Sequence, residues 1–113
     1  MTPEGVDIRN PEKLYIGGSW IESTGTQRFE LVSPNSEEVI GVVADATAAD
    51  MDKAVAAARE AFDNGPWPQM SPAERGAAVL RWAEELEKRE AELCACWTAQ
   101  VGGLSSFAPQ MHG

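Results

Sequence analysis

Gly65-Pro66-Trp67-Pro68-Gln69-Met70 running into Ser71-Pro72-Ala73-Glu74-Arg75 is the stretch on which the reading of this chain turns. Ser71, Pro72 and Glu74 form a complete helix start. The Ser71 hydroxyl can accept the Glu74 amide, and the Glu74 carboxylate can reach back to the Ser71 amide. Pro72 takes the first helical position, where its missing N–H costs nothing. Beyond it, Gly76, Val79, Leu80, Ala83 and Leu86 recur at helical spacing and predict a buried stripe. Glu84, Glu85, Glu87 and Lys88 fall mainly on the solvent side.

Working outward, Thr47 and Asp50 make a weaker capping pair for a helix over about residues 48–63. Met51, Val55, Ala58 and Phe62 stand at four-residue steps, with Ala54 and Ala61 beside them. Asn64-Gly65-Pro66 ends that helix. A third helix is predicted over about Glu90–Gln100, carrying Leu93, Cys94, Trp97 and Val101, with Gly102-Gly103 as its stop. Before Asp45 the period is two. Leu14-Tyr15-Ile16 and Ser19-Trp20-Ile21 flank Gly17-Gly18, which reads as a tight hairpin, because glycine tolerates the positive φ such turns demand. Ser23-Thr24-Gly25-Thr26 is a second turn, Arg28–Val32 a strand, Ser33–Glu37 a third turn and Val39–Val43 a β-branched strand.

Eighteen acidic against nine basic residues leave a formal net charge of −9. That excludes a nucleic-acid reader, which needs a basic face, and disfavours docking on anionic lipid. Met1–Lys13 lacks the basic start and apolar run of a signal peptide, and no stretch has the apolar length of a membrane span. With two cysteines read as free thiols, the chain is expected to be cytoplasmic.

The chemistry-bearing residues are sparse. Cys94 and Cys96 lie two apart on a helix and point about 200° away from each other, so neither a disulfide nor a shared metal is expected. Cys94 reads as a small core residue and Cys96 as a partly covered one. His112 is the only histidine, with no triad partners placed around it. Gly17-Gly18 and Gly102-Gly103 are not phosphate loops. Glu84-Glu85-x-Glu87 reads as a solvated face beside Lys88 and Arg89. Trp67 and Trp97 read as packing anchors, whereas Trp82 falls toward the polar side, facing a partner surface.

These pieces, in order, resemble the N-terminal region of the NAD(P)-dependent aldehyde dehydrogenase superfamily over about Leu14–Gly102. Tyr15-Ile16-Gly17-Gly18-Ser19-Trp20 is similar to the family's opening hairpin. Val32–Ile40 is similar to its V-N-P-A-T-G-E-V-I strand–turn–strand. Ala44–Thr47 with Asp52–Phe62 resembles its first helix, and Trp67-x-x-Met70-Ser71-Pro72-x-x-Arg75 its linker and second helix. Ala83-x-x-Leu86-Glu87 and Glu92-Leu93 continue the match. Ser33 and Glu37, and Gln100-Val101-Gly102-Gly103-Leu104 in place of E-x-G-K-P, mark a divergent subfamily.

The resemblance implies an α/β fold: the N-terminal part of a Rossmann-like architecture, seen locally as short antiparallel strands followed by two or three helices. The expected division is a flexible arm over residues 1–13 and a strand region over 14–46 that makes oligomer contacts. The helical part of a nucleotide-binding domain follows over 47–102, then an unpatterned truncated tail over 103–113. The tail's Phe107 and Met111 have nothing local to pack against. The implied reaction is oxidation of an aldehyde to an acid through a cysteine thiohemiacetal, hydride transfer to NAD or NADP, and glutamate-activated water. No catalytic, cofactor-binding or metal-ligating residue of the family maps onto this chain, and Cys94 and Cys96 are not the nucleophile. Some members hold a cation on carbonyls near Leu31 and Val32 and a side chain near Gln100, which is not a carboxylate here. The expected function is therefore an N-terminal dehydrogenase segment, inactive alone and binding no cofactor alone. Its expected partners are copies of itself or the remainder of the enzyme. The alternative is a small assembly module pairing with a full-length relative, motivated by Trp82, Phe107 and Met111. Either reading predicts exposed apolar faces and weak cooperativity.

Overall fold

The computed structural model describes residues 6–112, and their side chains through Gln110. Strands β1 (Lys13–Ile16) and β2 (Ser19–Glu22) form one antiparallel hairpin, and β3 (Arg28–Val32) and β4 (Val39–Ala44) a second. The first turns at Gly17 and Gly18, whose φ of +62° and +83° are the left-handed values a two-residue loop of this hand requires. Its register pairs Tyr15 with Trp20, and the two rings meet edge to face at 5.2 Å. In the second hairpin Leu31 faces Gly41 and Val32 faces Val39, so Ile40 is the extra residue of a bulge. Its turn is closed by Ser33 and Glu38, with the Ser33 hydroxyl accepting the Asn35 and Ser36 amides. Two-stranded sheets are marginal alone. Residues 6–12 lie against the second one: the Ala44 amide donates to the Pro11 carbonyl at 3.0 Å and Arg28 pairs with Glu12 at 3.5 Å. Met1–Gly5, the start of the expected arm, lie outside the described residues.

Helix α1 (Ala48–Asn64) starts at Thr47 and α2 (Pro72–Lys88) at Ser71, and both carry the full reciprocal capping box. A short 3₁₀ turn over Trp67–Gln69 joins them. Arg89 breaks the run before α3 (Glu90–Val101), which ends at Gly102.

Two readings of the sequence are corrected here. The α2 stripe has helical spacing but is not buried: Gly76, Val79, Leu80 and Leu86 are exposed, Leu80 by 61 %, and Arg75, Ala78 and Ala83 are the half-buried positions. Periodicity states which face is apolar, whereas burial needs a partner, and among the described residues α3 is the main element that α2 packs along. The tail is also more ordered than its composition suggested. Ala108–His112 form a helical turn, α4, that packs on α3 and buries Ala108 completely. Small residues make that close approach possible without a periodic signal. Phe107 is exposed, whereas the side chains of Met111 and His112 lie outside the described residues.

The molecule is a plate of 47 × 37 × 16 Å with a radius of gyration of 17.2 Å, against about 13 Å for a compact domain of this length. Its accessible surface is 8468 Å², roughly 2,400 Å² more than a compact protein of 12.2 kDa exposes. Among the described residues the only buried hydrophobic ones are Ala99 and Ala108.

Candidate functional site

Exposed apolar side chains lie on both hairpins, Tyr15, Trp20 and Phe29 among them, and on the helices. On α1, Met51, Val55 and Phe62 are exposed, Phe62 by 66 % with the Arg59 guanidinium 4.7 Å from its ring centre. The face α1 turns inward is the alanine row instead. Ala54 and Ala57 are half-buried, about a quarter turn round from the Met51–Phe62 stripe. With Tyr15–Gly18 and Ala61 they line an open groove of about 640 Å³ between the first hairpin and α1. On α2, Val79, Leu80 and Trp82 are exposed, Trp82 by 65 %, as the sequence placed it. Trp97 is half-buried on α3 with its ring against Gly103, so it anchors packing, whereas Trp67 is exposed by 46 %.

The thiols are unremarkable in position. Cys94 and Cys96 are free and both half-buried, so Cys94 is less covered than expected. Cys94 borders a second cavity of about 390 Å³ with Ser33, Asn35, Thr98, Ser105 and Ala108. The Thr98 hydroxyl is buried there without a hydrogen-bond partner. Among the described residues no group of three His, Cys, Asp or Glu is placed to hold a metal. No helix among them is long and apolar enough to cross a membrane.

Among the described residues one charge is buried. Asp50, 1 % exposed, accepts the Ser23 hydroxyl at 2.7 Å, the Thr24 amide at 3.0 and 3.2 Å, and the Thr47 amide at 3.0 Å. The Ser23 hydroxyl first, and then these amides, hold its carboxyl far below the usual carboxylate range despite burial. The Ser71 amide and hydroxyl similarly lower Glu74. The Arg89–Glu92 pair, at 2.7 Å, lowers Glu92 and raises Arg89. The sequence offered Asp50 only as a local cap; its bonds to Ser23 and Thr24 span more than twenty residues and carry no sequence signature.

Each of the three long helices carries an acidic side chain in its first turn. The Asp50 and Glu74 carboxylates accept the amides of the capping residues Thr47 and Ser71, and Glu90 and Glu92 open α3 without a capping hydrogen bond.

A sequence model described as the aldehyde dehydrogenase family matches residues 20–110. Cytosolic 10-formyltetrahydrofolate dehydrogenase of Pongo abelii is 36 % identical over 105 residues, covering 93 % of this chain and 12 % of that protein. Mitochondrial benzaldehyde dehydrogenase of Antirrhinum majus is 44 % identical over 84 residues, covering 74 % and 16 %. Among solved structures, an aldehyde dehydrogenase of Mycobacterium tuberculosis complexed with NAD+ superposes with a TM-score of 0.82 at 40 % identity, covering 89 % of this chain and 21 % of that one. A variant of aldehyde dehydrogenase C from Pseudomonas syringae, with NAD+ and octanal, gives 0.84 at 36 % identity, covering 92 % and 21 %. This chain thus spans an eighth to a fifth of the length of the relatives it matches.

Proposed function

Because this chain belongs to the aldehyde dehydrogenase family, we propose that it is the N-terminal segment of an NAD(P)-dependent enzyme oxidising an aldehyde to a carboxylic acid. In that reading residues 14–46 supply oligomer-contact strands and residues 47–102 the outer helices of the nucleotide domain. No residue of this chain is the nucleophile, the base or a nucleotide ligand, so the chain alone is inactive and binds neither NAD nor NADP. Its partners are the remainder of the enzyme or further copies of itself, and its place is the cytoplasm, in keeping with two free thiols and a cytosolic relative.

The observation that carries the reading is the uncovered surface. An excess of roughly 2,400 Å² is about three times what one partner commits to a standard interface. Exposed apolar side chains contribute to it, among them Met51, Val55 and Phe62 on α1 and Val79, Leu80 and Trp82 on α2. Cys94 and Cys96 support it from the other side. Both are free and half-buried, and they stand at the fifth and seventh positions of α3, beyond its first turn.

Two measurements test the proposal. The purified chain is mixed with an aliphatic or aromatic aldehyde and NAD or NADP, and reduced cofactor is followed by absorbance. None is expected, and turnover abolished by substituting either cysteine would overturn the assignment. The intact mass of the native protein carrying this sequence is expected to be several times 12.2 kDa. A mass near that value would favour the assembly-module reading, for which exposed Trp82 and Phe107 are the specific support.

A further inference from the structure

Asp50 has no part in the proposed chemistry, yet it is the most completely buried charged group among the described residues. We propose that it is a latch that makes the first hairpin and helix α1 move as one body across the boundary between strand region and helical region. Two segments converge on its carboxylate: Ser23 and Thr24 from the turn after β2, and Thr47 from the helix cap. The Thr24 and Thr47 hydroxyls bond each other alongside it, and the Ser23 hydroxyl accepts the Gly25 amide at 3.1 Å while donating to Asp50. An ionised carboxylate accepts only, with about four lone-pair positions, and these donors use both of its oxygens. Asparagine keeps the shape but turns one oxygen into a donor facing donors, so a carboxylate is required here and not merely a polar residue of that size.

The geometry gives the latch a mechanical consequence. A two-stranded hairpin does not hold its own orientation in water. The β1–β2 hairpin approaches α1 at Gly17, whose Cβ position would lie 3.8 Å from Ala57, and the two bound an open groove. The hydrogen bonds that run from β2's end into α1 all pass through the Asp50–Thr47 pair. By contrast the Ser71–Glu74 cap, chemically the same device, is exposed and reaches nothing beyond its own helix. One capping box has been recruited as a tertiary joint and the other has not.

The test is amide hydrogen exchange on the full 113-residue chain, comparing the unmodified protein with Asp50→Asn, Ser23→Ala and Ser71→Ala. Ser23→Ala removes a turn-side donor while leaving the helix cap, so it separates the joint from helix formation. Both Ser23→Ala and Asp50→Asn are expected to speed exchange of the Thr24 amide by about tenfold and of residues 14–22 severalfold. The α2 amides should stay within about twofold. Ser71→Ala is expected to do the reverse, loosening the start of α2 and leaving the hairpin unchanged. Unprotected exchange at Thr24 in the unmodified chain would overturn the latch. Acceleration confined to Thr24 and Thr47, with the hairpin unmoved, would overturn the coupling.

Discussion

Gly103→Ala sets two effects of similar size against each other. A Cβ on Gly103 would lie 2.1 Å from two carbons of the Trp97 ring and 2.9 Å from a third. Carbon atoms rest at about 3.5–4.0 Å, so the ring must give by roughly 1.4 Å or the link from α3 to α4 must shift. Overpacking of that kind costs about 1–3 kcal/mol. Alanine also removes freedom from the unfolded chain, which stabilises by about 0.4–1 kcal/mol where the backbone is compatible. At mid-range the clash exceeds the entropy gain, and a net loss of about 1 kcal/mol is expected. Urea unfolding followed by circular dichroism measures it as a lowered midpoint at unchanged slope. The same substitution in a Trp97→Leu background should lose most of its cost, because the partner of the clash is gone. An unchanged or raised midpoint for Gly103→Ala alone, or an equal cost in both backgrounds, would refute the reasoning.

Ser71→Ala removes the hydroxyl that accepts the Glu74 amide and should lower stability by about 1 kcal/mol, read from the same urea midpoint; Ser71→Asp should restore most of it. The pH dependence follows from depressed carboxyls. The contributions of Asp50, Glu74 and Glu92 are complete above their ordinary values of 3.8 and 4.5 and are lost as pH falls toward their lowered folded values. Helicity should therefore hold down to about pH 4 and decline below it, and Asp50→Asn should flatten the most acid part of that decline. An unchanged acid limb in that variant would show that Asp50 gains nothing on folding. Leu80→Lys adds charge to the exposed α2 face and should lower the association state seen by sedimentation without reducing helicity. Loss of helix together with association would instead place Leu80 inside a fold-defining core.

Much of this chain is decided locally, and those parts are legible in its sequence. Gly17-Gly18 between two apolar runs allows a tight two-residue turn, because both φ values are positive. Ser71-Pro72-x-Glu74 and Thr47-x-x-Asp50 set two helix starts through bonds that close within four residues. Gly102 ends the third helix where the sequence placed its stop. The order of elements and the strand boundaries follow from such short-range chemistry. What only the tertiary structure decides is which apolar surfaces find a partner. Val79, Leu80 and Leu86 have the right spacing and stay exposed, while Ala57, Ala99 and Ala108, with no pattern to announce them, are more covered. The same holds for Asp50, whose cap is visible from Thr47 but whose hold on Ser23 and Thr24 depends on how the hairpin and helix are placed. A spacing states the direction in which a side chain points, but not what lies there, and burial is a property of both.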